Sequence, residues 1–266
     1  MQRRKFLAST LAASALTAGR SSVLWAAAEG GDGAREFYQL RCYHLANGPQ
    51  RKLSEDFFRD ALVPALNRLG ISPVGVFNLA IGPETPSTYV LMPCASLETL
   101  ALVEFRLADD AEYMKAGAAF LNAPAKEPSF VRVESSLLQA FASLPKLNLP
   151  PASKTKSPRV FELRTYESPT DQDHKRKVEM MQVEGAVFAK AGFEQVFYGD
   201  TLVGARLPNL TYMLSYESVA ERDKKWSTFV NLPEWKSLSG QPRYSFEELV
   251  SNITNLILTP TAYSQI

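Results

Sequence analysis

The sequence predicts an α+β protein made of two tandem copies of one βαββαβ unit, the ferredoxin-like split unit. Three observations carry this: an internal repeat, a proline-rich break between its copies, and the same order of strand and helix patterns on either side. Leu40-Arg41-Cys42-Tyr43 returns as Leu163-Arg164-Thr165-Tyr166. The echo continues in order: Leu69-Gly70 with Ala191-Gly192, Val76-Phe77 with Val196-Phe197, Tyr89-Val90-Leu91 with Tyr212-Met213-Leu214, and Asp110-Ala111-Glu112-Tyr113 with Leu232-Pro233-Glu234-Trp235. Ordered matches at a nearly constant offset mean a duplicated fold in which each copy packs on the other. Residues 145–158 hold four prolines and no periodic apolar face, which reads as a semi-extended linker. The expected organisation is therefore a leader over 1–28, a first copy over 36–144, the linker 145–158 and a second copy over 159–266.

In the first copy Phe37 to Tyr43 reads as a strand, and Gly48-Pro49 leads into a helix carrying Leu53, Phe57, Leu66 and Leu69. Pro64 inside that helix is expected to kink it, because it has no N–H to give the carbonyl four residues back. Val74 to Asn78 and Thr88 to Met92 form a hairpin, Leu97 to Asn122 a broken helix, and Phe130 to Leu138 the last strand. In the second copy Val160 to Tyr166 alternates Phe161, Leu163, Thr165 with Glu162, Arg164, Tyr166, a period of two that implies a strand with two different faces. A helix follows, capped by Thr170 or Asp171, with Val178, Met181 and Phe188 on its buried stripe and Gly192 as its stop. Phe193 to Gly199 and Asn209 to Tyr216 make a hairpin with an extended loop. Ser218 opens a second helix, Pro233 restarts it in a first turn that tolerates proline, and Ile253 to Leu258 closes the sheet.

The first 28 residues read as a targeting leader. Arg3-Arg4-Lys5-Phe6-Leu7 is a twin-arginine motif, an alanine-rich apolar stretch runs from Ala8 to Ala18, and Ala26-Ala27-Ala28 suits cleavage. Arg20 interrupts the apolar run before the roughly 20 residues a membrane span requires, so the expectation is export to the periplasm or beyond, with no span in the mature chain. Of 29 basic residues four lie in the leader, leaving 25 against 28 acidic ones and a formal charge of −3. That balance argues against nucleic acid as a partner. The Lys175-Arg176-Lys177 cluster reads as a solvated helical face.

The second copy resembles the NIPSNAP family through Glu162-Leu163-Arg164-Thr165-Tyr166, Glu184-Gly185-Ala186-Val187-Phe188, Gly192-Phe193, Phe197-Tyr198-Gly199, Arg206-Leu207-Pro208-Asn209-Leu210-Thr211-Tyr212-Met213-Leu214 and Pro233-Glu234-Trp235. The first copy resembles it more loosely, through Gln39 to Tyr43 and Asp109 to Tyr113. It shows no counterpart of the Arg-Leu-Pro-Asn loop, and its hairpin loop is shorter, with 11 residues between Phe77 and Tyr89 against 14 between Phe197 and Tyr212. The resemblance implies a dimeric α/β barrel, formed here as a pseudo-dimer with the two sheets packed together and the helices outside. It supplies no settled activity: relatives in the superfamily include cofactor-independent monooxygenases, haem enzymes and stress-responsive proteins.

With Phe161 and Leu163 taken as facing the helices, Glu162, Arg164 and Tyr166 point toward the partner sheet, joined there by Gln39, Arg41 and Tyr43. A lumen with two arginines and two tyrosines would hold a small anionic or aromatic ligand. In the competing reading Glu162 and Arg164 neutralise each other and the tyrosines pack. Arg206 and Asn209 could gate the barrel mouth, or Pro208-Asn209 is a plain turn and Arg206 pairs with a nearby acid. His44 and His174 lack metal-ligand spacing, and His174, among lysines at a helix start, reads as a surface residue and not as a haem ligand. No G-x-S-x-G, Walker or G-x-G-x-x-G signature is present. No metal and no cofactor is expected. Two functions stay open: a binding or assembly module, homo-oligomerisation included, or a cofactor-independent monooxygenase- or isomerase-like enzyme. In the enzyme Tyr166 or Tyr43 gives a proton while Arg164 or Arg41 holds developing negative charge. Cys42 and Cys94, at opposite ends of neighbouring antiparallel strands, are expected about 15 to 20 Å apart and unbridged.

Overall fold

A computed structural model describes residues 34–266; the expected leader lies outside the described residues. The first half contains β1 (Phe37–His44), α1 (Pro49–Phe57), α2 (Val63–Arg68), β2 (Gly75–Ile81) and β3 (Ser87–Cys94), then four short helices, α3 (Leu97–Ala101), α4 (Val103–Ala108), α5 (Ala111–Ala116) and α6 (Ala118–Leu121), and β4 (Arg132–Ala140). After α7 (Pro151–Thr155) the order repeats: β5 (Val160–Glu167), α8 (Asp171–Lys190), β6 (Glu194–Val203), β7 (Asn209–Tyr216), α9 (Val219–Asn231), α10 (Pro233–Ser239), α11 (Phe246–Leu249) and β8 (Asn252–Pro260). The eight strands close into one antiparallel barrel in the order β1-β3-β2-β8-β5-β7-β6-β4. Each half contributes four consecutive strands, and the seams are β2 to β8, with Leu79 opposite Leu258, and β4 to β6, with Leu138 opposite Thr201. This is the expected pseudo-dimeric barrel, with closure leaving no free sheet edge. No helix among the described residues is long and apolar enough to cross a membrane.

Local chemistry explains the element ends. Thr170 accepts a hydrogen bond from the Asp173 N–H at the start of α8. Gly70 and Gly192 close α2 and α8 at φ 77° and 78°, and the following residue donates back to the carbonyl five positions earlier in both halves, Ile71 to Leu66 and Phe193 to Phe188. Pro64 does not produce a simple kink. A π-turn over Phe58–Leu62 precedes it, so α1 and α2 continue through a local widening that accommodates the missing donor. The proline-rich segment is less extended than expected: Pro151 starts the one-turn α7 and Lys156, at φ 56°, ends it. That segment is also tied down, with Leu147 and Leu149 packed against the barrel interior and Asn148 N–H donating to the Val196 carbonyl at 2.9 Å.

Three apolar clusters form: one under the helices of each half and a third filling the lumen, with Tyr38, Phe77, Phe161, Leu163 and Phe197. Phe161 and Leu163 therefore point into the barrel, and Glu162, Arg164 and Tyr166 point toward the helices, the reverse of the expected facing. The first half agrees: Tyr43 packs edge-on against Phe58, Phe120 and Phe130 beneath its helices, while Arg41 pairs with Glu104 of α4 and donates to Gln39 Oε1. The physical reason is that an eight-stranded barrel of this size is filled by its own side chains, and the helices bring counter-charges that make the other face the polar one. The two arginines and two tyrosines consequently do not share a lumen.

The cysteines are free. Phe37 stands opposite Cys94 and Cys42 opposite Tyr89, which separates them along the strands as expected. Burial pushes the Cys42 thiol up to about 11.

Because β6 and β8 of the second half pair with the first half, residues 159–266 made alone would expose two strand edges and an apolar sheet face. The fragment is expected to dimerise or aggregate. Size-exclusion chromatography with light scattering checks this, and a soluble, cooperatively folded monomer contradicts it.

Candidate functional site

The alternation that places Arg164 and Tyr166 on the outer face of β5 also places Glu162 there, and α9 closes over all three. Glu162, fully buried, accepts four hydrogen bonds: from Arg164 Nη1 at 3.1 Å, Arg222 Nη2 at 2.5 Å, Trp226 Nε1 at 2.8 Å and Tyr216 OH at 2.8 Å. Burial pushes its carboxyl up, but Arg222, Arg164, Trp226 and Tyr216 outweigh burial and hold it below its usual range. Arg164 then stacks between rings, its guanidinium carbon 4.6 Å from the Trp226 centroid and 5.4 Å from that of Tyr166. Its Nε makes no hydrogen bond. The ion pair foreseen between Glu162 and Arg164 is thus present, but as one part of a larger anchor.

Beyond this anchor lies a cavity of about 300 Å³ between the sheet and α8 to α11, lined by Arg164, Tyr166, Lys177, Glu184, Trp226 and Trp235 among others. Its other walls are apolar: Met180, Phe229, Leu249, Val250 and Ile253, with half-exposed Phe246 and Val230. Lys177 is buried, donates to Glu184 Oε2 at 3.0 Å and lies 5.1 Å from the Tyr166 ring centre. Lys177 is therefore not part of a solvated face as expected. It sits with Met181, Glu184 and Phe188 on the inward stripe of α8, where the Glu184 carboxylate compensates its charge. The Tyr166 hydroxyl lies 2.9 Å from that of Tyr212, and burial keeps Tyr212 protonated far above the usual tyrosine range. Two cations line the cavity beside aromatic walls, Arg164 paired with Glu162 and Lys177 with Glu184.

In the first half the corresponding position is occupied by rings. Phe57 and Phe120 stack at 4.0 Å between centroids, and Tyr43 closes on Phe58, Phe120 and Phe130. Only Arg164, Tyr166 and the neighbouring Glu162 of the expected site residues belong to the cavity region of the second half; Gln39, Arg41 and Tyr43 are structural residues of the first. His174 is also not on the surface. It is buried between α8 and β6 with Nε2 2.7 Å from Asp200 Oδ1, and it does not line the cavity, so the residues present do not fit a haem held by this histidine.

Arg206 and Asn209 do stand at the barrel mouth, and both also serve the loop. Asn209 Nδ2 donates to the carbonyls of Ala205 and Arg206, each at 3.0 Å, and Arg206 Nη1 donates to Thr254 Oγ1 at 2.8 Å with Glu167 at 3.5 Å. The first half does contain a counterpart. Gly82-Pro83-Glu84-Thr85-Pro86 matches Gly204-Ala205-Arg206-Leu207-Pro208, with Glu84 and Arg206 at φ 59° and 60° and each loop ending in a cis proline. Sequence comparison missed it because glutamate replaces arginine.

Residues 161–265 match the NIPSNAP family model. No curated protein matches the chain. Solved structures similar across the barrel include a putative monooxygenase from Lactobacillus acidophilus NCFM, at 9% identity and TM-score 0.53 over 85% of this chain and 94% of that one. A putative monooxygenase from Fusobacterium nucleatum aligns at 8% identity and TM-score 0.52, covering 86% and 94%. An anthrone oxidase-like protein aligns at 13% identity and TM-score 0.50, covering 85% and 92%. At these identities the likeness is one of fold.

Proposed function

We propose that the cavity beneath α8 to α11 binds a small aromatic molecule bearing an anionic or anion-forming oxygen. The observation that carries this reading is the asymmetry between the halves: one sheet-to-helix space is packed with phenylalanines, and the other is hollow, aromatic-walled and lined by Arg164 and Lys177. Arg164, a wall of that space, also keeps a buried Nε without a protein partner. Homo-oligomerisation and export through the twin-arginine leader remain part of the proposal on sequence grounds alone.

Titration with 2-naphthoate, followed by Trp226 and Trp235 fluorescence, tests the binding. Arg164→Met should fold, since Glu162 keeps three donors, and should weaken naphthoate at least about tenfold, the worth of one charge-assisted hydrogen bond. Binding of 2-naphthalenemethanol should stay nearly unchanged. Equal loss for both probes, or no binding by the wild type, contradicts the reading.

The Tyr166–Tyr212 hydroxyl pair favours a second reading in which the same cavity is catalytic. Arg164 would steady the oxyanion formed when a hydroxyaromatic or its keto tautomer loses a proton to solvent, and the Tyr166 hydroxyl would donate a hydrogen bond to that oxygen. One of the similar structures is an anthrone oxidase-like protein, which makes anthrone a suitable probe. Oxygen uptake that converts anthrone and O₂ to anthraquinone and water, lost in Tyr166→Phe while naphthoate binding persists, would support catalysis. Its absence leaves a binding protein.

A further inference from the structure

A separate cavity of about 460 Å³ opens at the end of the barrel where β1 finishes and the two hairpin loops fold over. Both halves build it. Its inner wall is aliphatic, with Leu40, Leu138, Leu163 and Leu256, and above them the Thr165 and Thr211 hydroxyls bond each other at 2.8 Å. The rim is charged and internally paired. Glu84 pairs with Arg132, Arg132 Nε lies 3.0 Å from Glu134, His44 Nδ1 lies 2.9 Å from Glu84, and Arg206 lies against Glu167. His44 is 8% exposed and lines the cavity, its Nε2 3.5 Å from the Glu134 carboxylate. Glu84 and Arg206 are held in the left-handed region, at φ 59° and 60°. Non-glycine residues keep that conformation at a cost and are concentrated at ligand sites.

We propose that this open end of the lumen is a second binding site, for an uncharged molecule with an aliphatic body and a single hydroxyl or carbonyl group. The leucine wall takes the aliphatic part. Both rim arginines are already paired, Arg132 with two glutamates, so an anionic ligand would lose its water without gaining an unpaired cation. The Thr165–Thr211 pair uses only one of its two O–H donors, which leaves the other for the single oxygen. The site is independent of the sheet-to-helix cavity: the strands lie between them, and the two share no lining residue.

The test uses the full mature chain with ¹³C-labelled leucine and valine methyl groups, titrated with 1-hexanol and, in parallel, with hexanoate of the same chain length. Saturable shifts are expected at Leu40, Leu138, Leu163 and Leu256, with Leu249, Val230 and Val250 of the helix-side cavity unmoved, and hexanoate is expected to bind at least about tenfold more weakly. Absent or non-saturating shifts at the lumen leucines, or shifts confined to the helix-side methyls, overturn the site. Equal or tighter binding of hexanoate overturns the ligand class. Failure of naphthoate to bind the other cavity would leave this result untouched.

Discussion

Glu162→Ala is expected to destabilise the protein by about 3 to 5 kcal/mol. The glutamate is fully buried and its two oxygens receive Arg164, Arg222, Trp226 and Tyr216. Removing it leaves two guanidinium groups without their shared counter-charge and two neutral donors without an acceptor. Chemical denaturation with tryptophan fluorescence measures the loss. The same carboxylate gives a pH signature. Its folded-state pKa is depressed, so its contribution is complete above the unfolded carboxylate value of about 4.3 and is lost as pH falls through the folded value. Wild-type stability should drop on acidification more steeply than that of Glu162→Ala. Parallel curves, or a loss below about 1 kcal/mol, would show that Glu162 is not the anchor of this sheet face.

Lys177→Met should cost a similar amount, about 3 to 5 kcal/mol, because it strands Glu184 at 2% exposure. The double variant Lys177→Met/Glu184→Leu removes both charges and should recover most of that loss, since exchanging a buried ion pair for apolar side chains of similar size is often close to neutral. A single variant as stable as the wild type would place Lys177 in solvent, where its sequence neighbours had suggested it belonged.

Much of the architecture was legible because two signals agree. The repeat from Leu40-Arg41 to Leu163-Arg164 fixes equivalent strands, and the period-two and helical patterns fix their order. Which face of β5 points inward was not legible. Alternation distinguishes two faces, but it identifies the buried one only when the other meets water. In a closed barrel wrapped by helices neither does, and the polar residues Glu162 and Arg164 lie on the face that the helices neutralise. The cavity itself came from residues far apart in the chain, Arg164, Lys177, Trp226 and Trp235, whose meeting depends on how α8 to α11 pack. One signal for it was present in the helix: Lys177 and Glu184, seven residues apart, fall on the same stripe as Met181 and Phe188, and charges of opposite sign on a buried stripe mark a buried pair. The loop Gly82–Pro86 was hidden for a simpler reason, since its backbone matches Gly204–Pro208 while the residue at the left-handed position changes sign from Arg206 to Glu84.

The crystal structure of the protein in complex with 2-naphthoate tests most directly whether the helix-side cavity is the functional site. The ring is expected between the sheet and α8 to α11, beside Trp226, with the carboxylate within hydrogen-bonding distance of Arg164 and Lys177. Naphthoate ordered only elsewhere, or an unchanged cavity in crystals that hold it at saturating concentration, would contradict a ligand site at Arg164.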